Sequence, residues 1–360
     1  MKILILANHD VGLYQFRKEL IQKLLEENNT VDISLPNGEM VAELEKMGCT
    51  FFQTQVDRRG LNPVKDVKLF FAYKKLLKKN RPELVITYTI KPNIYGGLAC
   101  GMAKIPYAVN ITGLGTAFQK KGWLRRLVVF LYKLGLKRAR VVFFENIENR
   151  KIFVNEGIIK ENVACLLNGA GVNLERYSYC QYPTDNDVIR FLFVGRIMKE
   201  KGVDELFCAM KRLISEGYSC LLDVVGGYEE DYADRISEYE KEGWLRYHGY
   251  QKDVRPFIEK AHCFVLPSYH EGMANTNLEC AAMGRPLITS NIHGCKEAIV
   301  EGKSGYLCEP KDEDSLYRCM MEFLHLSDEQ KNEMGKCGRQ HMQERFDKGK
   351  VVAQTVERLY

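Results

Sequence analysis

The feature that most constrains this chain is a regular alternation, kept up from end to end, of short aliphatic or β-branched runs with longer segments whose apolar residues recur at helical spacing. Repeated strand-then-helix patterning of this kind builds βα units around parallel sheets. In the first half strands are expected at 2–6, 31–35, 50–52, 83–87, 107–111 and 141–144, with helices over 11–25 and 63–77. Pro63 suits a first helical turn. In the second half strands are expected at 190–194, 220–225, 245–248, 262–266 and 286–289, with helices over 203–215, 228–242, 275–283, 312–324, 328–344 and 348–359. Residues 168–187 are turn-rich and follow neither period. With 360 residues the chain exceeds what one core organises. Two facing, doubly wound α/β domains are expected, at 1–168 and 189–344, with a linker at 169–188 and a last helix, 345–360, packing back toward the first domain.

Twelve cysteines, scattered from Cys49 to Cys337 with no C-x-x-C pair, point to reduced thiols rather than a disulfide framework. The opening apolar run is too short for a signal-peptide core, and no stretch reaches the roughly 18 apolar residues of a membrane span. A cytoplasmic protein is expected. Charge is lopsided: residues 1–170 carry 27 Lys+Arg against 15 Asp+Glu, leaving 25 against 32 for the rest. No acidic residue falls between Glu83 and Glu145, and within that gap Lys120, Lys121, Arg125, Arg126 and Lys133 interleave with Trp123, Leu127 and Phe130. Such a stripe fits an anionic membrane surface, a nucleic acid, or a surface helix packed on its own sheet.

Open α/β sheets bind ligands at the carboxyl ends of their strands, so the strand-to-helix loops are where chemistry is sought. Gly195 and Arg196 end one strand, and Lys201 stands just before the next helix. An Arg fork and a Lys point charge can converge on two phosphates; taken alone they are also readable as solvated surface charge. The run from Ser268 to Glu279 opens a helix that Asn275 or Thr276 can cap, leaving N–H groups for an anion. Glu271 lies before that helix and Glu279 about one turn inside it, where they can face sugar and ribose hydroxyls, or solvent and the helix dipole. A third loop runs from Ser290 to Glu297.

Gly195-Arg196 with Lys201, Glu271-x7-Glu279, the run Glu279 to Pro286, and Gly294-Cys295-Lys296-Glu297 resemble, in order, the donor-domain motifs of the retaining glycosyltransferases of sequence family 4. Upstream, Asp57 to Pro63, Tyr88 to Gly96 and Asn110 to Gly115 are similar to a bacterial branch that extends lipid-linked saccharides for capsules, O-antigens or glycans. The resemblance implies a GT-B fold of two Rossmann-like domains. It implies a metal-independent hexosyltransferase, without cofactor, that moves a hexose or N-acetylhexosamine-type unit from a UDP-sugar to a polyprenyl-diphosphate-linked saccharide. Arg196 and Lys201 would neutralise the diphosphate, Glu279 would hold the ribose, and Glu271 would orient the sugar. Gly272, Met273, Ala274 and Asn275 would meet sugar and phosphate, and Gly249 and Tyr250 would border the base. Acceptor-side candidates are Gly12, Arg58, Lys91, Thr112, Gly113 and Gly115, with His9 beside them. Membrane-facing candidates are Lys120, Lys121, Trp123, Arg125 and Arg126, which places the enzyme peripherally on the inner face of the cell membrane.

Two departures stand out. Met273-Ala274 occupies a position where many members carry Phe-Pro, and Thr112 to Gly115 one where many carry a histidine. Among rivals, a nicotinamide enzyme is disfavoured because the first βα turn, Ala7 to Gly12, has one glycine where the dinucleotide fingerprint needs three. A sugar-nucleotide epimerase shares the architecture. A basic nucleic-acid-binding protein would leave the second-half motifs unexplained. Asp312-Glu313-Asp314 has the D-x-D spacing of metal-dependent transferases but sits at an expected helix start, and the histidines lack metal-ligand spacing.

Overall fold

The computed structural model describes residues 1–57, 62–115, 118, 122–184 and 187–360. The chain divides into two compact units, one of Met1–Ala170 with Gly349–Tyr360 and one of Gly171–Lys348.

The first unit is built on strands β1 (Lys2–Leu6), β2 (Thr30–Leu35), β3 (Thr50–Gln53), β4 (Leu84–Tyr88), β5 (Tyr107–Ile111), β6 (Val141–Phe144) and β7 (Ala164–Leu166). They form a parallel sheet in the order β3-β2-β1-β4-β5-β6-β7. Its helices are α1 (Asp10–Glu26), α2 (Val41–Lys46), α3 (Pro63–Asn80), α4 (Gly97–Ala103), α5 (Trp123–Leu136) and α6 (Ile147–Asn155). Side chains alternate across a strand, so β1 sends Ile3 and Ile5 into one apolar layer and Leu4 and Leu6 into the other. Leu20, Leu24 and Leu44 of α1 and α2 complete the first layer; Leu69, Tyr73, Cys100, Val128 and Tyr132 of α3, α4 and α5 complete the second. Helices on both faces explain why the strands read as unbroken apolar runs.

The second unit repeats the plan with β8 (Ile189–Val194), β9 (Cys220–Val225), β10 (Leu245–Tyr247), β11 (Cys263–Leu266), β12 (Leu287–Ser290) and β13 (Gly305–Cys308), in the order β10-β9-β8-β11-β12-β13. Its helices are α7 (Val203–Ser215), α8 (Ala233–Lys241), α9 (Arg255–Lys260), α10 (Asn275–Ala282), α11 (Glu313–Leu324) and α12 (Asp328–Arg345). Strand order reverses between β1 and β4 in one sheet and between β8 and β11 in the other, and crevices open at such reversals.

The final helix, α13 (Lys348–Leu359), puts Val351, Val352, Val356 and Leu359 into the β1 and α1 layer of the first unit. Several expectations need correction. Strands β7 and β13 were not expected; β13 opens on a glycine held at φ 158°. Helix α8 starts at Ala233, five residues after the apolar pattern suggested. After β4 the chain makes a π-helical turn, Pro92–Gly96, before α4, a feature often found beside functional sites. Residues 171–182, expected within a linker, instead pack on the second unit: Tyr182 is buried, and the Cys180 N–H donates to the Met283 carbonyl at 3.2 Å.

Candidate functional site

In the second unit five strand-end loops lock together through their backbones. The Gly195 N–H donates to Val225 at 3.0 Å, and the Gly226 N–H to Gly249 at 2.8 Å. The fit is so close that a Cβ on Gly226, which sits at φ 149°, would lie 1.8 Å from the Gly195 carbonyl oxygen. Gly202 likewise allows the Lys201 turn against Pro267, and the Ala274 N–H donates to Gly294 at 2.7 Å, tying the loop after β11 to the loop after β12. Glycine is required at Gly202 and Gly226 on two counts, positive φ and lack of space. The loops bearing Gly195, Gly226, Gly249, Glu271 and Gly294 thus form one wall at the β8/β11 reversal.

On that wall the structure pairs two of the residues singled out from sequence. Lys201 makes an ion pair with Glu271, both mostly shielded from water, and Ser268 Oγ donates to the same carboxylate oxygen at 2.7 Å. Arg196 points into solvent, with Nη1 3.4 Å from Glu229 Oε2. Tyr250 is exposed, and next to it His248 Nε2 lies 2.6 Å from Asp223 Oδ1. Helix α10 starts with Ala274 at its N-cap and no side-chain cap, so neither Asn275 nor Thr276 caps it. The Asn277 and Leu278 N–H groups donate to the Ala274 carbonyl at 3.0 and 3.4 Å, and the buried Asn275 Oδ1 has no hydrogen-bond partner. Gly272 lies beside the Gly294 turn, and Met273 is buried in the core with Ala274.

Glu279 occupies a different environment. Burial pushes its carboxyl up to about 7, against the opposing pull of a hydrogen bond from Tyr177 and the charges of Arg176 and Lys348. A desolvated carboxylate of this kind is receptive to hydroxyl donors. Asp312, of the D-x-D triplet, caps α11 by accepting from the Ser315 N–H at 2.9 Å, and Asp314 pairs with Arg212 at 3.0 Å.

At the β1/β4 reversal of the first unit, His9 Nδ1 caps α1 by accepting from the Gly12 N–H at 3.2 Å. Lys91 opens the helical segment after β4, and its ammonium lies 2.8 Å from Asp66 Oδ1. The Tyr95 hydroxyl donates to Asp66 Oδ2 at 3.1 Å. Thr89, just before, has φ 72°, a left-handed conformation that β-branched residues rarely adopt. Beyond β5, Thr112 and Gly113 lie in a loop with open space around the Gly113 Cα, and Gly115 approaches Ile90. Arg58, Lys120 and Lys121 lie outside the described residues.

Trp123 is 73% exposed at the start of α5. Arg125 pairs with Glu156 at 2.7 Å, so the acid missing from the local sequence is supplied by the end of α6. Arg125, Arg126, Lys133 and Glu156 line a hollow of about 400 Å³ with Val129 and Phe130.

Sequence reading overlooked Tyr177, Asp66, the bond from Ser268 to Glu271, and the Arg17 to Glu145 pair, 2.6 Å apart, in which Arg17 also lies over the Tyr88 ring. Only Ser268 had a local signal, its place in the loop beside Glu271. The others meet partners from 25 to 128 residues away, which no local motif reveals.

Two family models match in sequence order: a glycosyl transferase 4-like model over residues 2–146 and the glycosyl transferases group 1 model over 181–341. The chain is a glycosyltransferase of the GT-B fold, with a glycosyl transferase 4-like first half and a group 1 second half. It is similar to the N,N'-diacetylbacillosaminyl-diphospho-undecaprenol alpha-1,3-N-acetylgalactosaminyltransferase of Campylobacter jejuni, 29% identical over 88% of this chain and 87% of the relative. It is also similar to the UDP-Gal:alpha-D-GlcNAc-diphosphoundecaprenol alpha-1,3-galactosyltransferase of Escherichia coli, at 27% over 82% and 80%. Among solved structures, Anabaena HepE in complex with UDP and glucose superposes with a TM-score of 0.81 at 15% identity, covering 100% of this chain and 99% of that one.

Proposed function

We propose that the enzyme transfers a hexose or N-acetylhexosamine-type unit, with retention of anomeric configuration, from a UDP-sugar to a polyprenyl-diphosphate-linked saccharide. The observation that carries this reading is the Lys201, Glu271 and Ser268 cluster on the β8/β11 wall, beside the uncapped start of α10. Glu271 holds Lys201 in place. An arriving diphosphate competes for the ammonium and frees the Glu271 carboxylate for the sugar hydroxyls, so one exchange of partners orients both. Arg196, extended into solvent, closes on the diphosphate from the other side. Glu279 accepts from the ribose diol, the Gly272 to Asn275 backbone meets sugar and phosphate, and Gly249 with Tyr250 borders the base.

The acceptor hydroxyl attacks the anomeric carbon on the face from which the diphosphate leaves. The bond from that carbon to the phosphate oxygen breaks, and this oxygen takes the acceptor's proton. Arg196 and Lys201 carry the charge that develops on UDP, so the reading requires neither metal nor protein nucleophile. On the acceptor side Lys91, fixed by Asp66, is the cation placed to meet an acceptor phosphate, with Gly12, Thr112, Gly113 and Gly115 on the neighbouring loops.

The same reading holds the enzyme peripherally on an anionic membrane. Trp123, Leu127, Phe130 and Leu134 recur at helical spacing as an exposed stripe on α5, and Val64, Val67 and Phe71 do so on α3 of the same helical layer. Lys68 and Lys75 flank one stripe and Arg126 and Lys133 the other, a pattern suited to an interface rather than to a span. Among the described residues no helix is long and apolar enough to cross a membrane.

The test is transfer of radiolabelled sugar from a panel of UDP-sugars to an undecaprenyl-diphosphate saccharide in vesicles. Label should enter the lipid fraction with wild type and not with Lys201→Ala. Labelling by that variant at the wild-type rate would remove the proposed site.

A further inference from the structure

The loop after β12 carries a pair of side chains to which the transfer chemistry gives no part. Glu297 divides its carboxylate between two groups of its own turn: Oε2 accepts from the Gly294 N–H at 2.7 Å, and Oε1 lies 2.6 Å from His293 Nδ1. The turn is also tethered from behind. His341 of α12, buried against the Phe346 ring, donates from Nε2 to the Glu297 carbonyl at 2.9 Å. With Glu297 held at its backbone and at both carboxylate oxygens, the His293 imidazole is fixed in orientation.

This imidazole stands beside the loop that carries Glu271. Gly294 approaches the Glu271 and Gly272 carbonyls so closely that a Cβ would lie 2.7 and 2.8 Å from their oxygens, and its own carbonyl accepts from the Ala274 N–H at 2.7 Å. His293, the residue before, is therefore within a side chain's reach of the same segment. The pair also decides which ring atom is offered. A carboxylate only accepts, so Nδ1 carries the proton of the bond to Glu297 and Nε2 takes no part in it. Among the described residues Nε2 has no hydrogen-bond partner, and the side chain is 28% exposed. A hydroxyl both donates and accepts, so a sugar hydroxyl satisfies Nε2 whether the ring is neutral or charged. In the proposed donor site Glu271 is the one side chain assigned to the sugar.

We propose that His293 is a specificity-determining residue, its Nε2 meeting a hydroxyl of the donor sugar, with Glu297 the positioning residue that fixes the ring. This rests on Glu271 being the sugar ligand of a UDP-sugar site. It extends the sugar pocket from the loop after β11 to the loop after β12.

The test is calorimetric titration of the full chain, as wild type, His293→Asn and His293→Gln, with UDP and with UDP-glucose, UDP-galactose and their N-acetylamino counterparts. Asparagine reproduces the Nδ1 side of the ring and keeps the Glu297 contact. Glutamine reproduces the Nε2 side and keeps the sugar contact. The readout is the affinity for the UDP-sugar that wild type binds best, divided by the affinity for UDP. That ratio should fall about tenfold in His293→Asn and stay within about twofold of wild type in His293→Gln, with UDP affinity unaltered in both. A wild-type ratio in His293→Asn would overturn the proposal, whether or not UDP and UDP-sugar affinities fall together, and would mark His293 as a group that holds its loop. An equal fall in both variants would leave Nε2 no role of its own and overturn it too. A wild type that binds neither UDP nor any of these UDP-sugars would instead remove the donor-site reading, and the proposal with it.

Discussion

The two units share a doubly wound plan but equip their strand reversals differently. In the second, five loops meet backbone to backbone through glycines, and the paired ions Lys201 and Glu271 line the resulting wall. In the first, the ions are anchored from outside the loops, Lys91 by Asp66 of α3 and Glu145 by Arg17 of α1, while the loop after β5 leaves open space around Gly113. A rigid wall suits a donor whose nucleoside, diphosphate and sugar fall at fixed distances. An open loop with one anchored cation suits an acceptor of variable glycan.

The largest expected effect that sharpens this contrast is on turnover. Lys201→Ala should lower kcat by about 100-fold or more, with a melting temperature within a few degrees of wild type, because it removes charge from the leaving diphosphate and little packing. Asp66→Asn, which loosens Lys91 rather than removing it, should cost about tenfold, measured in the same assay. Equal losses in the two variants would erase the contrast between wall and anchor.

Stability comes next. Gly226→Ala must resolve a collision with the Gly195 carbonyl and should destabilise the second unit by about 3 kcal/mol or more in urea unfolding. Gly113→Ala, in open space, should change stability by less than about 0.5 kcal/mol.

A pH effect should be confined to the second unit. The Glu279 carboxyl rises from 4.5 to about 7 on folding, so between those values the native state holds a proton that the unfolded chain has released. Stability of the empty enzyme should fall as pH rises through that window, and Glu279→Gln should flatten the decline, read as melting temperature against pH. An identical slope in both proteins would contradict the burial assigned to Glu279.

The smallest effect is at the membrane. Replacing Trp123 and Phe130 by Ser should reduce cosedimentation with anionic vesicles by several-fold, and replacing Val67 and Phe71 should do so independently. Unchanged sedimentation in both would leave these stripes without their proposed partner.

Most of the fold was legible because fully buried parallel strands and amphipathic helices leave strong periodicities. The boundaries of α7, at 203–215, and α13, at 348–359, agree with the apolar pattern to the residue. What escaped was short, such as β7 and β13, or was determined by distant partners. Residues 171–182 look like a linker because their carbonyls are satisfied not by a period of their own but by Arg285 and Arg339, more than a hundred residues on. The loop before α10 could be singled out because Ser268, Glu271 and Glu279 fall in one contiguous run. The pairing of Lys201 with Glu271 was not, because spacing places residues on loops without saying which of two opposite charges will meet.

The central claim is that the β8/β11 wall is a UDP-sugar site, and mass action tests it most directly. A UDP-sugar panel should raise the melting temperature of the wild-type enzyme for at least one donor and leave the Lys201→Ala, Glu279→Ala double variant unmoved. A wild type that no UDP-sugar stabilises, or a double variant stabilised equally, would contradict it.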